Sequence, residues 1–104
     1  MTNTVLDHCE ELVRYLQDDY DSEGYDPGGR YKLNIKTGRK YYKIHNGDAG
    51  GVHAFVDKET GKVYKPASYS TPAARARYDL LDDNSRVSCY NKADWAGSYL
   101  YLRG

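Results

Sequence analysis

Cations and aromatic rings alternate through the middle of this 104-residue chain in a pattern suited to holding phosphates and bases. Between residues 31 and 65, apolar side chains recur at every second position: Leu33 and Ile35, Tyr42 and Ile44, Val52, Ala54 and Val56, then Val63. Pointing the other way are Lys32, Asn34, Lys36, Tyr41, Lys43, His45, His53, Phe55, Lys62 and Tyr64, joined later by Tyr99, Tyr101 and Arg103. Rings stack on bases at roughly 1–3 kcal/mol per base, while lysine and arginine neutralise phosphate. Two readings of this face stay open. It is a binding surface, or it is a second core layer beneath residues 66–97.

A second constellation is Lys65-Pro66-Ala67-Ser68-Tyr69-Ser70-Thr71-Pro72, followed by Arg75 and Arg77. Here a strand ends, hydroxyl side chains follow, and Pro72 suits the first position of a helix. Unsatisfied N–H groups at a helix start attract anions, and Arg75 adds a bidentate grip for phosphate. The competing reading is ordinary capping with solvated arginines. The candidate ligand-binding residues are therefore Tyr41, Lys43, His53, Tyr64, Lys65, Ser68, Tyr69, Thr71, Arg75 and Arg77.

Catalytic chemistry has no comparable footing. His8, His45 and His53 have no metal-ligand spacing with Cys9 or Cys89, so no metal or cofactor is expected. His53 and Asp57 lie four residues apart on one strand face, roughly 13 Å, too far for a shared proton. No serine or cysteine has an identifiable base, so an enzyme is not expected. The two cysteines are eighty residues apart and read as reduced, structural thiols.

The elements that must carry these residues are legible from their periods. Val5, Leu6, Cys9, Leu12, Val13, Leu16 and Tyr20 form one helical stripe, predicting an amphipathic helix over residues 4–20. Asp21–Gly29 is rich in breakers and reads as a linker. Strands are predicted at Tyr31–Thr37, Lys40–His45, Val52–Asp57 and Lys62–Lys65, the last two joined by the hairpin signal Asp57–Gly61. Short helices are predicted at Pro72–Tyr78 and Ser85–Lys92, and a fifth strand at Ser98–Arg103. The class is α+β, an N-terminal amphipathic helix packed on an antiparallel meander of about five strands. One domain is expected, divided into an acidic helix and linker (1–29), a basic meander (30–65), and short helices with a last strand (66–104).

Charge follows the same division. The formal net charge is zero, yet residues 1–29 hold eight acids against Arg14, a balance of −7. Residues 30–78 hold eleven bases against three acids, a balance of +8, and the remainder sums to −1. Neutrality argues against indiscriminate coating of nucleic acid, but the partition permits a focused anion site. Leu, Ile, Val and Phe together number only seventeen, so the twelve tyrosines must supply apolar area. No apolar run could span a membrane and the N-terminus has no signal-peptide pattern, so a soluble, intracellular protein is expected.

The strings Gly38-Arg39-Lys40-Tyr41-Tyr42-Lys43-Ile44, Val52-His53-Ala54-Phe55-Val56-Asp57, Gly61-Lys62-Val63-Tyr64-Lys65-Pro66-Ala67-Ser68-Tyr69 and Ala93-Asp94-Trp95-Ala96-Gly97-Ser98-Tyr99-Leu100-Tyr101 carry a resemblance. Over roughly residues 38–104 the chain resembles a group of small proteins from tailed-bacteriophage genomes. Members of that group tend to carry tryptophan where this chain has Tyr69. The group brings no catalytic or binding residues to transfer. What the resemblance implies is a phage accessory protein acting in the host bacterial cytoplasm. Taken with the basic face, the expectation is a non-catalytic protein that binds a nucleotide, including a host immune nucleotide signal, or single-stranded nucleic acid. Such a protein would serve host takeover or counter-defence. The alternative is a protein–protein module: a homo-oligomer, a minor virion component, or an inhibitor of a host protein, with Tyr and Arg as hot spots.

Overall fold

The computed structural model describes residues 5–23, 32–46, 51–68, 71–94 and 97–100. Helix α1 spans Val5–Glu23 and strands β1 to β5 span Leu33–Thr37, Tyr41–Asn46, Val52–Asp57, Lys62–Pro66 and Pro72–Asp79. Helix α2 spans Asp83–Lys92, and a short 3-10 turn covers Ser98–Leu100. All five strands pair antiparallel with their sequence neighbours, in the order β1-β2-β3-β4-β5. The expected α+β class, with a helix on a five-stranded meander, is the architecture observed.

Helix α1 buries Val5, Cys9, Leu12 and Leu16, the predicted stripe at spacings of four, three and four. These residues pack with Leu33, Ile44, Ala54, Val56 and Val63 from the sheet and with Leu80, Cys89, Tyr99 and Leu100 from the last third. Gln17 fixes the helix to the sheet edge, its Oε1 accepting the Leu33 N–H at 3.0 Å. Both thiols are free and buried, and burial pushes each up to about 12. Helices α1 and α2 and the 3-10 turn all contribute to this one core. They therefore share one side of the sheet, and among the described residues no helix covers the other.

Two predicted elements are corrected. Residues 72–78 form a strand, although Ala73, Ala74 and Ala76 favour helix. A seven-residue helix is marginal in water, whereas pairing along the open edge of β4 satisfies backbone groups throughout. The register runs Lys62↔Asp79, Val63↔Tyr78, Tyr64↔Ala76 and Pro66↔Pro72, with slips that accommodate the extra residues. The fifth strand is thus β5, and the segment predicted to be the fifth begins as a 3-10 turn. Tyr99 and Leu100, expected on opposite faces, are both buried as a result. Tyr101 and Arg103 lie outside the described residues.

Turn chemistry at the β3–β4 hairpin follows the expected pattern. The Asp57 carboxylate accepts the Glu59 and Thr60 N–H groups at 2.8 and 3.0 Å, and the Gly61 N–H returns to the Asp57 carbonyl at 2.9 Å. Gly61 sits at φ 75°, and a Cβ there would lie 2.9 Å from Leu81 Cγ. Glycine is required twice over, by backbone conformation and by space.

Candidate nucleic-acid interface

Antiparallel register assembles the uncovered face row by row. Lys36 pairs with Lys43, Lys43 with Phe55, Phe55 with Tyr64, and Tyr64 with Ala76, one ladder crossing all five strands. Side chains at paired positions share a face, so two lysines and two aromatics line up in sequence across the sheet. Tyr41, two residues before Lys43, wedges its ring edge-on against both Phe55 and Tyr64, with centroids 5.7 and 6.1 Å away. Phe55 is only 2% exposed yet lies outside the core cluster, because Tyr41, Tyr64 and Lys43 cover it from its own side.

At the turn end of the β1–β2 hairpin this face opens into a groove of about 190 Å³. It is lined by Lys36, Gly38, Arg39, Lys40, Tyr41, Lys43 and Phe55. Four cations and two rings meet here, and the lining holds no carboxylate. Among the described residues, no acid lies within salt-bridge distance of Lys36, Arg39 or Lys40. Lys40 helps to hold Asp57 ionised. Desolvation pulls the Asp57 pKa up, but the Thr60 and Glu59 N–H bonds and Lys40 together bring it below the usual value. That carboxylate is already engaged in the hairpin turn.

Lys58 holds the cationic turn in place from the neighbouring hairpin. Its backbone N–H donates to the Lys40 carbonyl at 3.0 Å and its ammonium to the Gly38 carbonyl at 3.0 Å. The Gly38 N–H closes the turn onto the Tyr41 carbonyl at 2.9 Å. Arg39 and Lys40 are therefore presented on a fixed loop, and Lys40 stands 5.5 Å from the Tyr41 ring centroid. Sequence reasoning left Lys36, Arg39, Lys40, Phe55 and Lys58 out of the binding set. The Thr37-Gly38-Arg39 turn was the available signal, since it sets Arg39 and Lys40 at the end of the hairpin that carries Tyr41 and Lys43.

The ten candidate residues do not form one site. Tyr41, Lys43 and Tyr64 come together as described. Lys65 lies near the end of β4, and Ser68 and Thr71 belong to the β4–β5 turn, which in an up-and-down meander lies at the end of the sheet opposite the β1–β2 turn. The Ala67 and Ser68 N–H groups donate to the Thr71 carbonyl at 2.8 and 3.1 Å, closing a turn where a helix start was expected. With β5 a strand, the anticipated anion site at a helix N-terminus has no donors to build it. A wide hollow of about 310 Å³ beside this turn is lined by Gly51, Val52, Pro66, Ala67 and Ser68, none of them charged. Arg75 is exposed. Arg77 is spent on structure, with its Nε donating to the Leu100 carbonyl at 2.7 Å and its guanidinium also bonding the Arg75 carbonyl. Tyr69 lies outside the described residues.

His53 also leaves the face assigned to it. A register slip between Ile44 and His45 breaks the alternation of β3. The imidazole stacks on Tyr99 at 5.6 Å, and its Nε2 hydrogen-bonds the Tyr99 hydroxyl at 2.7 Å. Burial pushes its pKa down to about 4, with Asp94 pulling the other way. It is a neutral packing residue at physiological pH.

Among the described residues, no three His, Cys, Asp or Glu side chains are grouped to hold a metal ion, and no helix is long and apolar enough to cross a membrane. No curated protein and no solved structure matches the chain significantly. A family model does match, over residues 1–102, so it takes in the acidic helix together with the meander and the groove. The chain belongs to the family of unknown function DUF7717.

Proposed function

We propose that this protein is a non-catalytic bacteriophage accessory protein that binds a phosphate-bearing ligand, a nucleotide or single-stranded nucleic acid, in the β1–β2 groove. The observation that carries the reading is the lining itself: Lys36, Arg39, Lys40 and Lys43 converge with Tyr41 and Phe55, without a carboxylate. Converging cations on a fixed turn concentrate positive potential where a phosphate would sit. The lining offers no histidine, serine, cysteine or acid, which favours binding over turnover. The phage setting, action in the host cytoplasm and a role in counter-defence or host takeover rest on the resemblance of residues 38–104 to the tailed-phage group.

Protein purified from a bacterial host tests the reading. Fluorescent ATP and a fluorescein-labelled twelve-residue oligothymidylate are titrated with wild type and with the Lys36→Ala/Arg39→Ala/Lys40→Ala variant. Binding of at least one probe, lost in the triple variant, is the expected result. Absence of binding by either probe overturns the proposal. A host protein captured from lysate and retained after nuclease treatment, with neither probe bound, would instead favour the protein–protein reading.

A further inference from the structure

We infer that the ligand is single-stranded nucleic acid lying along the β1–β2 hairpin, with its backbone over the cations and its bases turned across the sheet toward Tyr64. This rests on the proposed phosphate-binding function of the same groove and narrows its ligand class. The first ground is size. Pockets that bury a small ligand measure roughly 300–1,000 Å³, whereas this groove holds about 190 Å³ and opens to solvent along the sheet. A free nucleotide would be left largely uncovered, so one groove alone gives it little binding energy. A polymer gains by continuing past the groove onto the neighbouring surface.

The second ground is the order of chemistry across the ladder. Lys36 on β1 and Lys43 on β2 come first, then Phe55 on β3 and Tyr64 on β4. With strands about 4.8 Å apart, this row extends about 14 Å. The cations of this row lie on β1 and β2, and the partly exposed rings, Tyr41 on β2 and Tyr64 on β4, lie on its far side, so a backbone lane runs beside a base lane. Lys40 and Lys43 stand 5.5 and 5.7 Å from the Tyr41 and Phe55 ring centroids, within reach of one nucleotide's phosphate and base. Tyr41 and Tyr64 are only half-buried and offer ring surface; Phe55 packs against Tyr41, Tyr41 packs against Tyr64, and Phe55 stands opposite Tyr64 in the ladder. A duplex keeps its bases stacked inside and has no use for the second lane. With its cations assigned to phosphate, the lining leaves only ring stacking for the bases, so binding should tolerate many sequences.

Fluorescence anisotropy with the full chain separates the possibilities. The probes are labelled dT12, a twelve-residue abasic strand of equal charge, and unlabelled ATP as competitor. Wild type should bind dT12 at least tenfold tighter than both ATP and the abasic strand. Lys36→Ala/Arg39→Ala/Lys40→Ala should lower the salt slope of dT12 binding by about 2, at about 0.7 per lost contact. Tyr41→Leu/Tyr64→Leu keeps apolar cover over Phe55 but removes both stacking surfaces. It should weaken dT12 roughly tenfold or more while leaving the salt slope and abasic binding unchanged. ATP bound as tightly as dT12 overturns this inference and leaves the phosphate-binding proposal standing. An abasic strand bound as tightly as dT12, or a leucine variant equal to wild type, also overturns it. Failure of every probe overturns both.

Discussion

Lys43 stands directly opposite Phe55 in the β2–β3 ladder, and its ammonium lies 5.7 Å from the centre of the Phe55 ring. At this pair the cationic half of the sheet face meets the aromatic half. The lysine has two separable parts, a charged head for a ligand and a four-carbon stem that helps keep a phenylalanine dry.

Substitution should resolve those parts. Lys43→Met keeps apolar cover and loses the charge, so dT12 binding should weaken while stability stays within about 0.5 kcal/mol of wild type. Lys43→Ala loses both, and urea denaturation should show a further loss of about 1 kcal/mol from the apolar cover removed. Equal stability of the two variants would show that the stem contributes no cover.

The arginines of β5 should behave oppositely to each other. Arg75→Ala removes an exposed side chain far from the groove, so binding and stability should match wild type. Arg77→Ala takes the guanidinium from the Leu100 carbonyl, against a residue that is 1% exposed. Denaturation should register a cost of about 1–3 kcal/mol, with ligand affinity of the folded protein unchanged.

Gly61→Ala meets a left-handed backbone and Leu81 Cγ at 2.9 Å together. A loss of about 1–3 kcal/mol in denaturant melts is expected. Leu81→Ala in the same chain relieves the collision but not the backbone strain. The double variant should therefore recover only part of the loss.

Acid should destabilise the protein in two stages. His53 has a folded pKa near 4 and an unfolded value near 6.5. Between those values the unfolded chain takes up a proton that the folded chain refuses. Stability is thus full above pH 6.5 and declines as pH falls toward 4, by up to about 3 kcal/mol. His53→Gln should flatten most of this decline in melts recorded from pH 7 to 4. A residual slope belongs to His8, which burial and Arg86 also shift downward. Asp57 acts lower, because its carboxylate is held below its ordinary value and its contribution is lost only as pH falls under 3.8.

Sequence periodicity carried much of the fold. The stripe from Val5 to Leu16 and the alternation in β1, β2, β4 and the second half of β3 state which side meets the core, and the structure follows them; Val52, expected on the core side, instead pairs with His45 of the uncovered face. It failed where local preference and tertiary context diverged. Pro72–Tyr78 favours helix by composition, but the free edge of β4 offered more backbone partners than a seven-residue helix could supply. That one reversal removed the anion site expected at Lys65–Thr71 and turned Arg77 into a structural tie. His53 was misplaced for a similar reason, since a one-residue slip is invisible to a pattern of period two. Tyr41, Lys43 and Tyr64 were legible because their register against β3 is regular. Arg39 and Lys40 were not, since turn residues have no period and the Gly38–Tyr41 hydrogen bond and the Lys58 contacts fix where they stand.

The central claim is that phosphate binds at the β1–β2 groove, and amide chemical-shift mapping tests it most directly. Uniformly 15N-labelled protein is titrated with unlabelled dT12 at low salt. Concentrated, saturable shifts at Lys36, Gly38–Tyr41, Lys43, Phe55 and Tyr64, with Thr71–Arg75 unmoved, are the predicted result. Shifts confined to Lys65–Arg77 or to helix α1, or none at saturating oligonucleotide, would contradict it.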